Sequence, residues 1–339
     1  MRQELLRLTL GESVCVLRAY STFYTLAFVL SPLVAAWVAS RRGLSGRRAL
    51  TVYAGALASG IVGARALDLF VAWRLYAEDP SRIWGLSFTG FSLYGGLVLA
   101  TAAGIALSHL VRQPVWPLAD SAVPGLVLGL VLMRVGCFLN GCCFGEITTL
   151  PWGVTFPPGT PAWTHQLATG AGGVLGTLLG RVRPVHPTQL YEMAGTLVAG
   201  SLALALMRRR GLRARSLAEW AAAGAVGATG VDSTAPGVRV TDGVPFLAFA
   251  LGFTLVRLGN HFLRAQTNTI TAPEWFYPVF YVALAVVIAS ALVWRLRHGP
   301  ALPDGSSATG QAAPPTPPLP PPGSAEATGR PVGHRGSGD

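Results

Sequence analysis

Lysine is absent from this 339-residue chain, so arginine alone supplies the 26 basic residues that face 15 acidic ones. Charge of either sign is scarce at 12%, about half of what a soluble domain of this length carries. Basic patches interleaved with aromatics on a soluble face are also missing, which argues against a nucleic-acid partner despite a net charge of +11. Four cysteines are too few for a disulfide scaffold. Met1–Gly11 is charged and lacks an apolar core ending in small residues, so no cleavable signal peptide is expected and the first span serves as insertion signal. No internal repeat and no matching pair of Pro/Gly-broken spans is present, which counts against a transporter.

What remains is strongly apolar. Half of the residues are hydrophobic, and seven runs of roughly 20 residues read as membrane spans: about Ser21–Ser40, Leu50–Trp73, Phe91–Val111, Ala119–Leu139, Thr188–Met207, Val244–Leu263 and Trp275–Leu296. The fold class expected is an all-α polytopic bundle of about seven helices. Arginines cluster at Arg41, Arg42, Arg47 and Arg48, at Arg112, at Arg208–Arg215, and at Arg295 and Arg297. With seven spans all four clusters share one side, which the positive-inside rule makes the cytoplasm. The N-terminus is then periplasmic and the C-terminus cytoplasmic, in a bacterial inner membrane. Two short apolar stretches, Ala168–Gly180 and Leu217–Val231, are too short for spans and read as interfacial or re-entrant pieces. The membrane domain covers 1–299, with a small periplasmic head at about 140–187. The Pro-, Gly-, Ala- and Ser-rich tail at 300–339 is expected to be disordered in the cytoplasm.

Polar residues collect in one leaflet. An arginine at mid-span costs roughly 2.5–3.5 kcal/mol on insertion scales, so Arg65, Arg134 and Arg257 need a reason. The topology places all three in the outer half of the membrane, with Tyr94, the His186–Glu192 segment and Tyr20 near the same face. Snorkelling to headgroups is the plain alternative, above all for Arg264, and Asp68 is a ready ion-pair partner for Arg65. The segment HPTQLYE, His186 to Glu192, opens the fifth span with Pro187 at a helix start, where free N–H groups favour an anion such as a phosphate or serve as an ordinary cap. Glu192, inside a span, demands a cationic partner, and the arginines are the candidates. Cys137, Cys142 and Cys143 admit several readings: buried small residues, a disulfide from Cys137 to either of the others, or a metal site, against which the lack of a C-x-x-C and of a nearby histidine argues.

HPTQLYE, the run RVGCFLNGCCFGEITTLPWGVTFP at Arg134–Pro157 and SLYGGL at Ser92–Leu97, in this order and spacing, resemble the bacterial prolipoprotein diacylglyceryl transferases over roughly Arg18 to Arg297. The resemblance implies transfer of a diacylglyceryl group from phosphatidylglycerol to the lipobox cysteine thiol of a prolipoprotein signal peptide, the first step of lipoprotein maturation, with glycerol phosphate released. No cofactor and no metal are implied; the partners are phosphatidylglycerol, prolipoproteins and membrane lipids. Arg134 and Arg257 match the family's essential arginines, Asn140, Gly141 and Gly145 its Asn-Gly and following Gly, and Tyr20 its first-span tyrosine. Gln189, Tyr191, Glu192 and Arg65 join these as substrate-binding candidates. No lipobox surrounds any cysteine, so the chain is not its own substrate.

The departures define the alternatives. Tyr94 stands where the family has the histidine of His-Gly-Gly, Cys137 where it has Asn, Cys142 where it has Glu, and His261 at a sixth-span Glu position. A thiol of pKa near 8.5 benefits from a base, and a phenol near 10 is a poor one, so His261 and His186 are candidates beside Tyr94. A non-catalytic lipid- or lipoprotein-binding paralogue, or a transferase with another acceptor, is the alternative function. The topology is directly testable. A reporter fused after Arg210 is expected to read cytoplasmic and one near Pro158 periplasmic; the same side for both would dismantle the seven-span scheme.

Overall fold

A computed structural model describes residues 4–10, 13–71, 73, 77, 93–171, 179–224, 243–265 and 275–298. A two-stranded antiparallel hairpin comes first, β1 Glu4–Leu10 and β2 Ser13–Arg18, and runs directly into the first helix. The all-α expectation omitted it, although Leu6, Leu8 and Leu10 alternate with Arg7 and Thr9 at the two-residue period of a strand. Helices follow: α1 Ala19–Arg41, α2 Gly46–Val71, α3 Leu93–Leu110, α4 Val115–Asn140, α5 Pro161–Ala168, α6 Thr188–Gly224, α7 Val244–His261 and α8 Phe276–His298. Both interfacial candidates lie partly outside the described residues; the described part of Leu217–Val231, as far as Gly224, is helical and belongs to α6. The tail at 300–339 lies outside the described residues.

Among the described residues, five helices are long and apolar enough to cross a membrane: Ala19–Arg41, Gly46–Phe70, Val115–Asn140, Thr188–Arg208 and Phe276–Arg297. That fits a multi-pass membrane protein. α3 and α7 are shorter at 18 residues each, and α7 carries Arg257, Asn260 and His261 in its last turns. The bundle's perimeter is apolar, with Val198, Leu202, Leu255, Val286 and Val287 all exposed. Large side chains on the outside and small ones within are the pattern expected where lipid is the solvent.

Small residues set the packing. α1 lies along α4, where a Cβ on Gly125 would overlap the Ser31 carbonyl oxygen and one on Gly129 the Ser31 hydroxyl. α2 and α3 cross at Gly63 and Gly95, each so close to the other's carbonyl oxygen that neither admits a side chain. α6 packs between α4 and α7, burying Val123, Ala199, Ala203 and Phe249 together. Hydroxyls inside the helices bond back one turn, as Ser108 Oγ does to the Gly104 carbonyl and Thr254 Oγ1 to the Ala250 carbonyl, which leaves no polar group facing lipid there.

The start of α7 is fixed by a side chain from α4. Asp120, 1% exposed, accepts the Gly243 N–H at 2.8 Å on Oδ2 and the Phe246 N–H at 2.9 Å on Oδ1. These are two of the donors a helix N-terminus leaves unsatisfied, and the carboxylate also meets the positive end of the helix dipole. Arg42 lies 3.9 Å away and bonds Ser121 Oγ and the Pro117 carbonyl on the same helix. Asp120→Ala strands both N–H groups and is expected to cost about 2–3 kcal/mol, read as a lower melting temperature in detergent micelles, with Asp120→Asn intermediate.

Candidate active site

The sequence RVGCFLNGCCFGE folds as the last turns of α4 and a reversal. Gly141, at φ +72°, caps α4 in the left-handed region, and a Cβ there would crowd Thr160 and Phe156. Cys143 repeats that conformation at φ +59°. The returning strand then joins two others: Gly145 N–H bonds the His186 carbonyl, His186 N–H the Glu146 carbonyl, and Glu146 N–H the Leu263 carbonyl, each at 2.9 Å. Phe144, Phe156, Ala162, Val185 and Ala265 form a small core beneath this cap. Gly145 lies against Leu263, His186 and Thr188, so its missing side chain is a packing requirement.

HPTQLYE enters α6 over the reversal and clamps it. Thr188 Oγ1 donates to the Cys143 carbonyl at 2.6 Å and Gln189 Nε2 to the Cys142 carbonyl at 2.7 Å. Glu192, one turn further and 1% exposed, sits at the centre. Arg134 from α4 reaches its Oε1 at 2.6 Å and Arg257 from α7 its Oε2 at 2.6 Å. Asn260 Nδ2 adds a bond to Oε2 at 3.1 Å and one to the Thr188 carbonyl at 3.2 Å, and Arg257 Nε donates to Tyr281 Oη at 3.2 Å. Three helices thus meet on one carboxylate. The donors are charge-assisted and short, as buried ion pairs must be to offset desolvation.

Of the predicted site residues, Arg134, Arg257, Glu192 and Gln189 gather here, with Gly141 and Gly145 shaping the turn beside them. His186 Nδ1 lies 3.3 Å from Tyr191 Oη, which also accepts from Trp152 Nε1 at 2.8 Å. His261 packs among Phe262, Tyr277 and Tyr281. Tyr20 stacks at 4.3 Å on Tyr24, whose hydroxyl is 3.2 Å from Cys137 Sγ. Asn140 ends α4. Arg65 lies on α2 just past the Gly63–Gly95 crossing and Tyr94 just before it on α3, so their backbones are neighbours; the Tyr94 side chain lies outside the described residues. Sequence reasoning missed Tyr24 and Tyr281 as members of the site, and took Asn260 only as a polar neighbour of Arg257 suited to a shared cavity. Asn260 alone carried a signal, a buried-span amide three residues after Arg257.

The lock has a thermodynamic signature. Glu192→Ala leaves two guanidiniums facing each other and is expected to destabilise by about 3–5 kcal/mol in detergent. The same substitution made together with Arg134→Ala should cost clearly less than the sum of the two single changes. Additive melting shifts would show that Glu192 is not what holds the two arginines together.

The profile of the family described as prolipoprotein diacylglyceryl transferase matches residues 11–295. The phosphatidylglycerol–prolipoprotein diacylglyceryl transferase of Geobacter sulfurreducens is 29% identical over 84% of this chain and 93% of its own length. Counterparts from Rhodopirellula baltica and Clostridium perfringens, the latter named as a second such transferase, are each 32% identical. Those matches span 48% and 55% of this chain, and 34% and 67% of the relatives' own lengths. With the match running from the second strand of the hairpin into the last helix and through the residues of the Glu192 lock, the chain belongs to the prolipoprotein diacylglyceryl transferase family.

Proposed function

We propose that this chain transfers the diacylglyceryl group of phosphatidylglycerol to the lipobox cysteine thiol of a prolipoprotein, releasing glycerol phosphate. The observation that carries this reading is the meeting of two guanidiniums on one buried carboxylate. Two cations against one anion leave a single positive charge, the complement of a phosphodiester's single negative one. Arginine suits that task, since its planar fork matches phosphate oxygens two at a time. Charge grows on the phosphate as the carbon–oxygen bond breaks, and a fixed donor there stabilises the transition state by about 3–4 kcal/mol.

Two further atoms fit the headgroup. Gln189 Oε1 and Asn260 Oδ1 are buried carbonyl oxygens without a hydrogen-bond partner among the described residues. Their amide nitrogens are committed to carbonyl or carboxylate acceptors, so what each oxygen awaits is a donor. The terminal hydroxyls of a glycerol headgroup supply donors. Tyr20, Asn140, Tyr191 and Arg65 complete the lipid site, with Tyr94 the third span's candidate. The relatives' names, which specify phosphatidylglycerol and prolipoprotein, support the reading.

The site stands near the outer face under a seven-span arrangement with the N-terminus periplasmic and the C-terminus cytoplasmic. The arginine clusters support that orientation, and the segment at 140–187 then forms the periplasmic head over the site. Transfer of labelled diacylglyceryl from phosphatidylglycerol vesicles to a lipobox peptide tests the assignment. Arg134→Ala and Arg257→Ala should each lower it by roughly 10²–10³-fold, with lysine restoring only part. Full transfer by either alanine variant would remove the phosphate-holding role.

A further inference from the structure

Three thiols converge beside the ion-pair lock, which makes no use of them. Cys137, Cys142 and Cys143 are free cysteines whose sulfurs all lie within 4.8 Å of one another. Successive residues on a continuing helix point about 100° apart and do not bring three sulfurs together from such positions. Here the left-handed Gly141 turns the chain back, so that Cys142 N–H bonds the Cys137 carbonyl at 3.1 Å, and the φ of +59° at Cys143 brings its side chain in as well. A non-glycine residue in that conformation costs of order 1–3 kcal/mol and persists where its surroundings enforce it. The enforcing contacts are the bonds from Gln189 and Thr188 to the carbonyls of Cys142 and Cys143. The absence of a C-x-x-C spacing therefore does not decide the matter; the reversal supplies the convergence that the spacing lacks.

The trio's surroundings suit a cation with thiolate ligands. Arg264 Nη2 lies 3.2 Å from Cys143 Sγ, and Tyr24 Oη 3.2 Å from Cys137 Sγ, which places an N–H donor and a hydroxyl in the outer shell. Three thiolates about a divalent ion carry one net negative charge, which the adjacent guanidiniums offset. Zinc–sulfur bonds of about 2.3 Å place tetrahedral sulfurs about 3.8 Å apart, within the 4.8 Å that bounds the three sulfurs here. Cys137 is buried, while Cys142 and Cys143 are only partly so. The side chains that bond these sulfurs, a phenol and a guanidinium, do not take up a proton at neutral pH. Yet the reaction proposed above consumes a thiol.

We infer that Cys137, Cys142 and Cys143 form a three-thiolate zinc site whose open fourth position receives the sulfur of the acceptor cysteine. The inference rests on the transferase reading and supplies a way to activate the acceptor thiol. A thiol bound to zinc is deprotonated outright, and three protein ligands with one open position is the coordination of zinc sites that act on a substrate. The acceptor's S–H bond breaks on binding, and its proton passes to a phosphate oxygen of the lipid. The sulfur lone pair forms a carbon–sulfur bond to the glyceryl CH₂ as its carbon–oxygen bond breaks, and the electron pair leaves with glycerol phosphate. Zinc keeps its charge and its three protein ligands, so no oxidant or reductant enters.

The test begins with metal content, independent of activity. Full-length protein in detergent micelles, given Zn²⁺ and dialysed, is expected to hold one zinc per chain and to melt at a higher temperature than the metal-free form. Cobalt(II) in its place should give the visible bands of a tetrahedral site and a near-ultraviolet sulfur-to-cobalt band. Cys137→Ser and Cys142→Ser should each weaken both. Chelation is expected to lower transfer to a lipobox peptide by roughly 10²-fold or more, with recovery on adding zinc. The metal-free rate should then rise toward the thiol pKa near 8.5, while the zinc-loaded rate does not. Three thiols that titrate freely with zinc present, or a disulfide between any two found by mass spectrometry, would overturn the site. Transfer that ignores chelation would overturn the activation step and leave the transferase reading standing. One bound zinc with the cobalt spectrum, but no transfer from phosphatidylglycerol vesicles in either form, would instead sink the transferase reading and keep the metal site.

Discussion

Glu192 is a carboxylate at 1% exposure inside an apolar bundle, and this end of the structure is organised by the need to keep it charged. An isolated carboxylate in such a place would be expensive enough to neutralise itself. Two guanidiniums and an amide prevent that, and they come from α4 and α7, so the charge requirement is also a packing instruction. Removing any one partner leaves the others uncompensated. The same arrangement retains a surplus positive charge, which the proposed function uses to receive the lipid phosphate. Stability and binding therefore draw on the same atoms.

The other end of α4 solves a similar problem with the signs reversed. There Asp120 supplies the negative charge, and backbone N–H groups of α7 and Arg42 answer it. α4 and α7 are thus tied at both ends, while glycine rows let α1 approach α4 and α3 approach α2 at backbone distance. In lipid, where apolar surfaces gain nothing by leaving the solvent, such ties and close backbone contacts take over the role of a hydrophobic core.

Much of this was legible from residues alone. Arg134, Arg257 and Glu192 announced themselves because a charge inside a span has few innocent explanations, and HPTQLYE because Pro187 marks a helix start. Each of the seven apolar runs coincides with a helix, although by length and composition only five of those helices qualify as spans. The hairpin at Glu4–Arg18 was hidden by its brevity and its charges, despite a two-residue alternation. Asn260 and Tyr281 were obscured because an amide or a phenol near a span end is commonplace until a partner is seen. The convergence of the three cysteines was hidden for a different reason. Spacing rules assume regular backbone between ligands, and the left-handed residues at Gly141 and Cys143 break that assumption.

The charge pairs also impose a schedule on biogenesis. Arg134 is translated 58 residues before Glu192, and Asp120 is translated 123 residues before the Gly243 N–H group that it caps. At roughly 5–20 residues per second, α4 waits several seconds in or beside the membrane with both charges short of their final partners. Arg42, made earlier, can cover Asp120 during that interval, whereas Arg134 has no such predecessor in the lock. The insertion machinery must shelter α4 until α6 is delivered, and release it to lipid only as a pair.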